Sequence, residues 1–187
     1  MSRIVYRHDS VERFIAGTVG VPGERTFFLQ VRSSSGLNCV SVEKSQVMAL
    51  VERIKEMVRE LRRNQLASRD ELSLTSAADF TGLEFPLEED FRVGVIGISW
   101  NQEQQRLIVE AQSMGDESIV ELLDEDEAAF LEDAPDLLTI SLRLHQARAF
   151  CEQAALLVSA GRQECPFCGL PVDPTGHLCP RANGYRR

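Results

Sequence analysis

Four side chains with metal-ligand chemistry fall within 15 residues near the end of the chain. In CPFCGLPVDPTGHLC, Cys165 and Cys168 form a C-x2-C pair, and His177 and Cys179 form an H-x-C pair after an eight-residue gap. Thiolate and imidazole are the donors that Zn2+ prefers, and C-x2-C spacing lets a chain turn around one ion, with Gly169 permitting the bend. Four protein ligands complete a tetrahedron and leave no open position, so the expected cofactor is a structural Zn2+ held by Cys165, Cys168, His177 and Cys179. The alternative is a three-cysteine site completed by water or another group, such as Asp173, with His177 left as a surface histidine. Pro166, Pro171 and Pro174 restrict the segment, which has few core residues and would gain its order chiefly from the metal. The spacing differs from that of the longer C2H2 finger, and no recognition helix separates the pairs.

Other reactive residues are scattered. Cys39 lies in an apolar strand pattern and Cys151 on an apolar helical stripe, so both are expected as buried free thiols. His145 is expected at a helix entry, and His8, beside Asp9, in a solvated turn. The last residues include Arg181, Arg186 and Arg187 with Tyr185; these arginines are candidates to hold an anion, against a plainer reading in which Tyr185 anchors the tail and the arginines stay wet. No GxGxxG opens a helix, and the turn at Ser33 to Gly36 lacks a phosphate-cradling lysine, so a conventional dinucleotide or ATP site is not expected.

The elements that would position these residues read as two similar halves. VERFIAGTVG, a turn at VPGE, RTFFLQVRS and LNCVSVE alternate like strands; a helix then opens near Ser45, its expected cap, with Val47, Leu50, Val51, Ile54, Met57, Val58 and Leu61 on one stripe. In the second half, FRVGVIGISW, QRLIVEAQS and LLTISLRL precede a helix near His145. A shift of 100 residues lays Val47, Leu50, Val51 and Ile54 on Ala147, Phe150, Cys151 and Ala154, and also Ser41 on Ser141 and Gln46 on Gln146. A shift of 77 pairs Phe14 and Gly17 with Phe91 and Gly94. The expected fold class is α+β: a tandem pair of β-β-β-α units with antiparallel sheet and a small C-terminal zinc module. Residues 1–66 would form the first unit, 67–90 an acidic linker, 91–160 the second unit with an acidic insert at 116–136, and 161–187 the zinc module. The two units would share a core either by joining sheets edge to edge or by stacking them.

Composition narrows the function classes. The chain has 187 residues, 43% of them hydrophobic, and a net charge of −9, which excludes a disordered tail protein and a surface built wholly for nucleic acid or anionic lipid. Ten acidic and no basic side chains lie in 116–136, so the acidity is local; such blocks are read first as solvated surface and second as docking sites for a basic partner. No run approaches the roughly 20 apolar residues of a membrane span, and the first thirty residues lack the apolar core of an export signal. Together with the cysteine distribution, this gives the expectation of a soluble cytoplasmic protein with no membrane partner.

SVERFIAGTVGVPGERTFFLQVRS, RVGVIGISW and CPFCGLPVDPTGHLCPRANGYRR resemble an uncharacterised family of actinobacterial conserved hypothetical proteins, across nearly the whole chain. The resemblance implies a cytoplasmic protein with metal ligands at Cys165, Cys168, His177 and Cys179, and implies no reaction. Genes of that family occur near phosphatase-like and kinase-like genes, a pointer toward phosphate metabolism that assigns no catalyst. The leading functional expectation is a non-catalytic binding or adaptor protein with a protein partner. An enzyme acting on a phosphorylated small molecule, using Arg25, Arg181 or Arg186, comes second. A nucleic-acid-binding protein using Arg59, Arg62 and Arg63 comes third, because three tail arginines supply little basic area.

Overall fold

The computed structural model describes residues 3–21, 23–115, 121–123, 125–129, 134–160, 165–169, 172 and 179–181. The chain runs β1 (Val5–His8), β2 (Val11–Val19), β3 (Thr26–Ser33), β4 (Gly36–Val42), α1 (Lys44–Arg63), α2 (Arg69–Ser73), β5 (Phe91–Asn101), β6 (Arg106–Ser113), α3 (Glu125–Ala129), β7 (Leu137–Leu142) and α4 (Leu144–Ser159). It is an α+β protein with one seven-stranded sheet in the order β1-β7-β6-β5-β4-β3-β2.

The sheet is mixed, which corrects the expectation of an antiparallel one. The meanders β2-β3-β4 and β5-β6-β7 are antiparallel within themselves, but β4 pairs with β5 and β1 pairs with β7 in parallel. The reason is topological: α1 and the segment after it carry the chain back across the sheet before β5 begins, so β4 and β5 start from the same end. Of the two packings open from sequence, the strands take the edge-to-edge one, through Val40↔Phe91 and Ser41↔Arg92.

The sheet also curls. β1 and β2 stand at opposite ends of the strand order, yet only Asp9 and Ser10 separate them. Seven flat strands would put the end strands roughly 29 Å apart, whereas so short a link reaches about 10 Å. His8 shows the closure. It is buried at 1% exposure, with Nδ1 2.7 Å from Ser33 Oγ in β3 and Nε2 2.8 Å from Asn38 Oδ1 in β4. This corrects the solvated-turn expectation for His8: a β-strand carries it into the closing seam.

One face of the curled sheet meets α1 and α4. Leu29, Val31, Val40, Leu107, Val109, Leu138 and Ile140 join Val47, Leu50, Ile54, Ala147, Phe150 and Ala154 in a single core, and Phe14 stacks on Phe150 with ring centroids 4.3 Å apart. The helices grip the sheet through their polar groups as well. Gln153 bonds both the N–H and the C=O of Ala16, satisfying the free edge of β2 (3.1 and 2.7 Å). The α1 cap is Glu43 rather than Ser45: Gln46 Oε1 accepts from the Glu43 amide at 2.8 Å, and Gln146 Oε1 accepts from the Arg143 amide at 2.9 Å in the same way. The other end of Gln46 reaches the carbonyls of Val93 and Gly94 in β5, and that of Gln146 reaches the Val11 carbonyl in β2.

The other face of the sheet carries two acidic segments. Leu83 lies so close over Gly17 that a Cβ there would sit 2.3 Å from Leu83 Cγ, and Leu122 lies over Gly97 with a corresponding 2.1 Å to Cδ1. Beside these contacts, Gln30 clasps the backbone N–H and C=O of Glu84, and Gln112 clasps Leu123 N–H and Glu121 C=O. The two approaches are alike: in each a leucine covers a strand glycine beside a clasping glutamine. The glycines serve close backbone approach, as a glycine inside a strand commonly does.

Candidate metal centre

Past α4 the chain turns at Cys165. The Gly169 amide donates to the Cys165 carbonyl at 2.8 Å, and Gly169 adopts φ +73°, a left-handed conformation that glycine takes without strain. This turn points Cys165 and Cys168 to the same side, and Cys179 returns to meet them. The three sulfurs lie within 4.8 Å of one another. Cys165 and Cys179 are buried and Cys168 is half-buried.

The distances suit a shared ion. Cys165 Sγ and Cys179 Sγ are 3.7 Å apart; two thiolates on a tetrahedral ion at roughly 2.3 Å would be separated by about 3.8 Å. A disulfide would require about 2.05 Å, and none of the five cysteines is in a disulfide. The backbone amides of Phe167 and Cys168 aim at Cys165 Sγ and hold its thiol below the ordinary range, outweighing the opposing effect of desolvation. Three convergent sulfurs, one of them faced by thiolate-favouring amides, fit a soft or borderline divalent cation. His177 and Asp173 lie outside the described residues, as do Arg186, Arg187 and Tyr185.

The remaining sequence candidates are dispersed. Arg181 donates to the Phe167 carbonyl at 3.2 Å, so its guanidinium is tied to the cysteine turn. Arg25 donates to the Ala160 carbonyl, at the negative end of α4. Cys39 and Cys151 are buried, and burial first of all pushes each thiol up to about 12, with Asp90 adding to the effect at Cys39.

One juxtaposition has no sequence signal. His145 Nδ1 lies 2.5 Å from Ser76 Oγ, beside a cavity of about 150 Å³ that also touches Arg13, Asp79, Gln146 and Gln153. Burial, then the charge of Arg143, hold His145 below its ordinary value. Three side chains around this cavity are already engaged: Arg13 binds Asp79, Thr81 and Gly82, Gln146 binds Val11, and Gln153 binds Ala16. Ser76 and His145 stand 69 positions apart in the chain, and no motif joins them.

Fold and site together define an α+β protein with a curled mixed sheet and a cysteine cluster able to hold a metal ion. The chain belongs to the family described as a protein of unknown function, DUF3090, which matches residues 6–179. No curated protein and no solved structure matches it. Among the described residues, no helix is long and apolar enough to cross a membrane.

Proposed function

We propose that this is a cytoplasmic zinc-binding protein acting as a non-catalytic binding or adaptor module. In this reading Cys165, Cys168 and Cys179 supply three ligands and His177 the fourth. The observation that carries it is the 3.7 Å separation of two buried sulfurs with amides directed at one of them. A four-ligand ion would lock the C-terminal segment as a rigid element without itself offering a coordination position. Against the enzyme reading stands the cavity beside Ser76 and His145, where Arg13, Gln146 and Gln153 are committed to partners within the chain.

The division into residues 1–66, 67–90, 91–160 and 161–187 belongs to the same proposal, with the body as a tandem β-β-β-α pair. What supports the pairing is reciprocity. Each cap glutamine reaches the first strand of the other half, each half lays a leucine over a strand glycine beside a clasping glutamine, and Cys151 Sγ lies 3.6 Å from the carbonyl of Val51, its counterpart at a shift of 100. Contact between equivalent positions is what a two-fold axis produces.

The test is elemental analysis of the purified full chain, combined with a screen for co-purified proteins, nucleotides and metabolites, on wild type, Cys165→Ser/Cys168→Ser and His177→Ala. About one zinc per chain is expected in wild type, and none in the double variant, with a protein partner co-purifying. Metal-dependent hydrolysis of a phosphomonoester would overturn the non-catalytic reading.

A further inference from the structure

A cavity of about 580 Å³ opens between α1 and α4 on the molecule's helical side. Its floor is apolar: Ile54 and Val58 from α1 and Cys151 from α4, all buried. Its rim is cationic. Arg59, Arg62 and Arg63 line it without an ion pair among the described residues; Lys55 is partnered by Glu52, Arg148 by the carbonyls of Leu72 and Leu74, and Glu152 is the one acid lining it. Five cations against one carboxylate stand out in a chain of net charge −9.

We infer that this cavity binds an amphiphilic phosphate: a small molecule whose alkyl or prenyl body lies on Ile54, Val58 and Cys151 while its phosphate meets Arg59, Arg62 and Arg63. The volume falls in the roughly 300–1,000 Å³ range of small-molecule sites. Guanidinium groups grip phosphate oxygens in pairs, and removing the body from water supplies the remaining attraction. A wholly polar anion would leave the floor wet, and a neutral hydrocarbon would leave the rim unanswered. The basic end is peculiar to one helix: α1 has 20 residues against 16 in α4, and its last turn carries Arg62 and Arg63, whereas the last turn of α4 carries no basic residue. The extra turn of α1 therefore supplies the cationic end of the groove. The inference rests on the body alone and stands or falls independently of the cysteine cluster.

Isothermal titration of the full chain with decyl phosphate, inorganic phosphate and decanol, and with vesicles of anionic phospholipid, tests it. Saturable binding of one decyl phosphate per chain is expected, weakened about tenfold by Arg59→Gln/Arg62→Gln, whose exposed positions leave folding intact, and weakened again by salt. Val58→Phe, which projects a ring over the floor, is expected to block it. Equal binding of inorganic phosphate or decanol, binding to vesicles alone, or an unchanged affinity in the arginine variant would overturn the proposal.

Discussion

Two kinds of cysteine coexist in the chain, and their surroundings separate them. Cys151 lies in the apolar core and Cys39 is buried beside Asp90 and Glu89; both thiols are pushed up to about 12, so they stay protonated and inert across ordinary pH. The Cys165 thiol faces two amides and the other two cluster sulfurs. Alkylation at pH 8 after chelation should therefore modify Cys165, Cys168 and Cys179 while leaving Cys39 and Cys151 unlabelled until the chain unfolds. Mass spectrometry of the peptides checks this, and rapid labelling of Cys39 in the native chain would contradict it. His8 makes a comparable point about burial. Asn38 Oδ1 can only accept, so Nε2–H donates to it and Nδ1 accepts from the Ser33 hydroxyl. His8→Ala should cost about 2–3 kcal/mol in urea denaturation, because it leaves both partners unpaired in the seam. The cysteine cluster was legible because a C-x2-C pair and a third cysteine lie close in sequence. Nothing local in VYRH announces that His8 bridges β3 and β4.

Individual strands and helices were legible from their periodicity, since alternation marks β2, β3, β5 and β6, and a three-four stripe marks α1 and α4. Their pairing was not. The parallel pairings of β4 with β5 and of β1 with β7, and the curl that brings β1 back to β3 and β4, are non-local, and β1, α2 and α3 are too short to carry a pattern. The acidic segment between α2 and β5 reads by composition as solvated chain; in the fold it packs across β2 and β3. Arg13 gathers Asp79, Thr81 and Glu84, while Arg32 pairs with Glu84. Its packing depends on Gly17: Gly17→Ala should displace Leu83 and cost about 1 kcal/mol, and Leu83→Ala in the same chain should cost less than the sum of the two single changes. Additive effects in denaturant titration would contradict the contact. Asp79 lends this segment a pH dependence. The hydrogen bond from Arg13 comes first in holding its carboxyl well below the carboxylate range, with Thr81 contributing. A depressed pKa adds stability that is present above the unfolded value of about 4 and lost as pH falls below it. Melting temperature should accordingly fall on acidification below about pH 4, and fall less steeply in Asp79→Asn.

At the scale of the molecule, a curled sheet closed by two helices supplies the stability, and among the described residues the buried Cys165 and Cys179 stand outside that core. Removing the metal should therefore leave far-UV circular dichroism and the main thermal transition nearly unchanged while releasing the segment around Cys165 to proteolysis. Loss of the main transition on chelation would instead make the metal part of the global fold. The most direct test of the central claim is zinc K-edge X-ray absorption on the purified full chain. The account predicts three sulfur neighbours at about 2.3 Å and one nitrogen at about 2.0 Å, the nitrogen disappearing in His177→Ala. A zinc shell of oxygen and nitrogen without sulfur, or a protein that holds no metal, would contradict it.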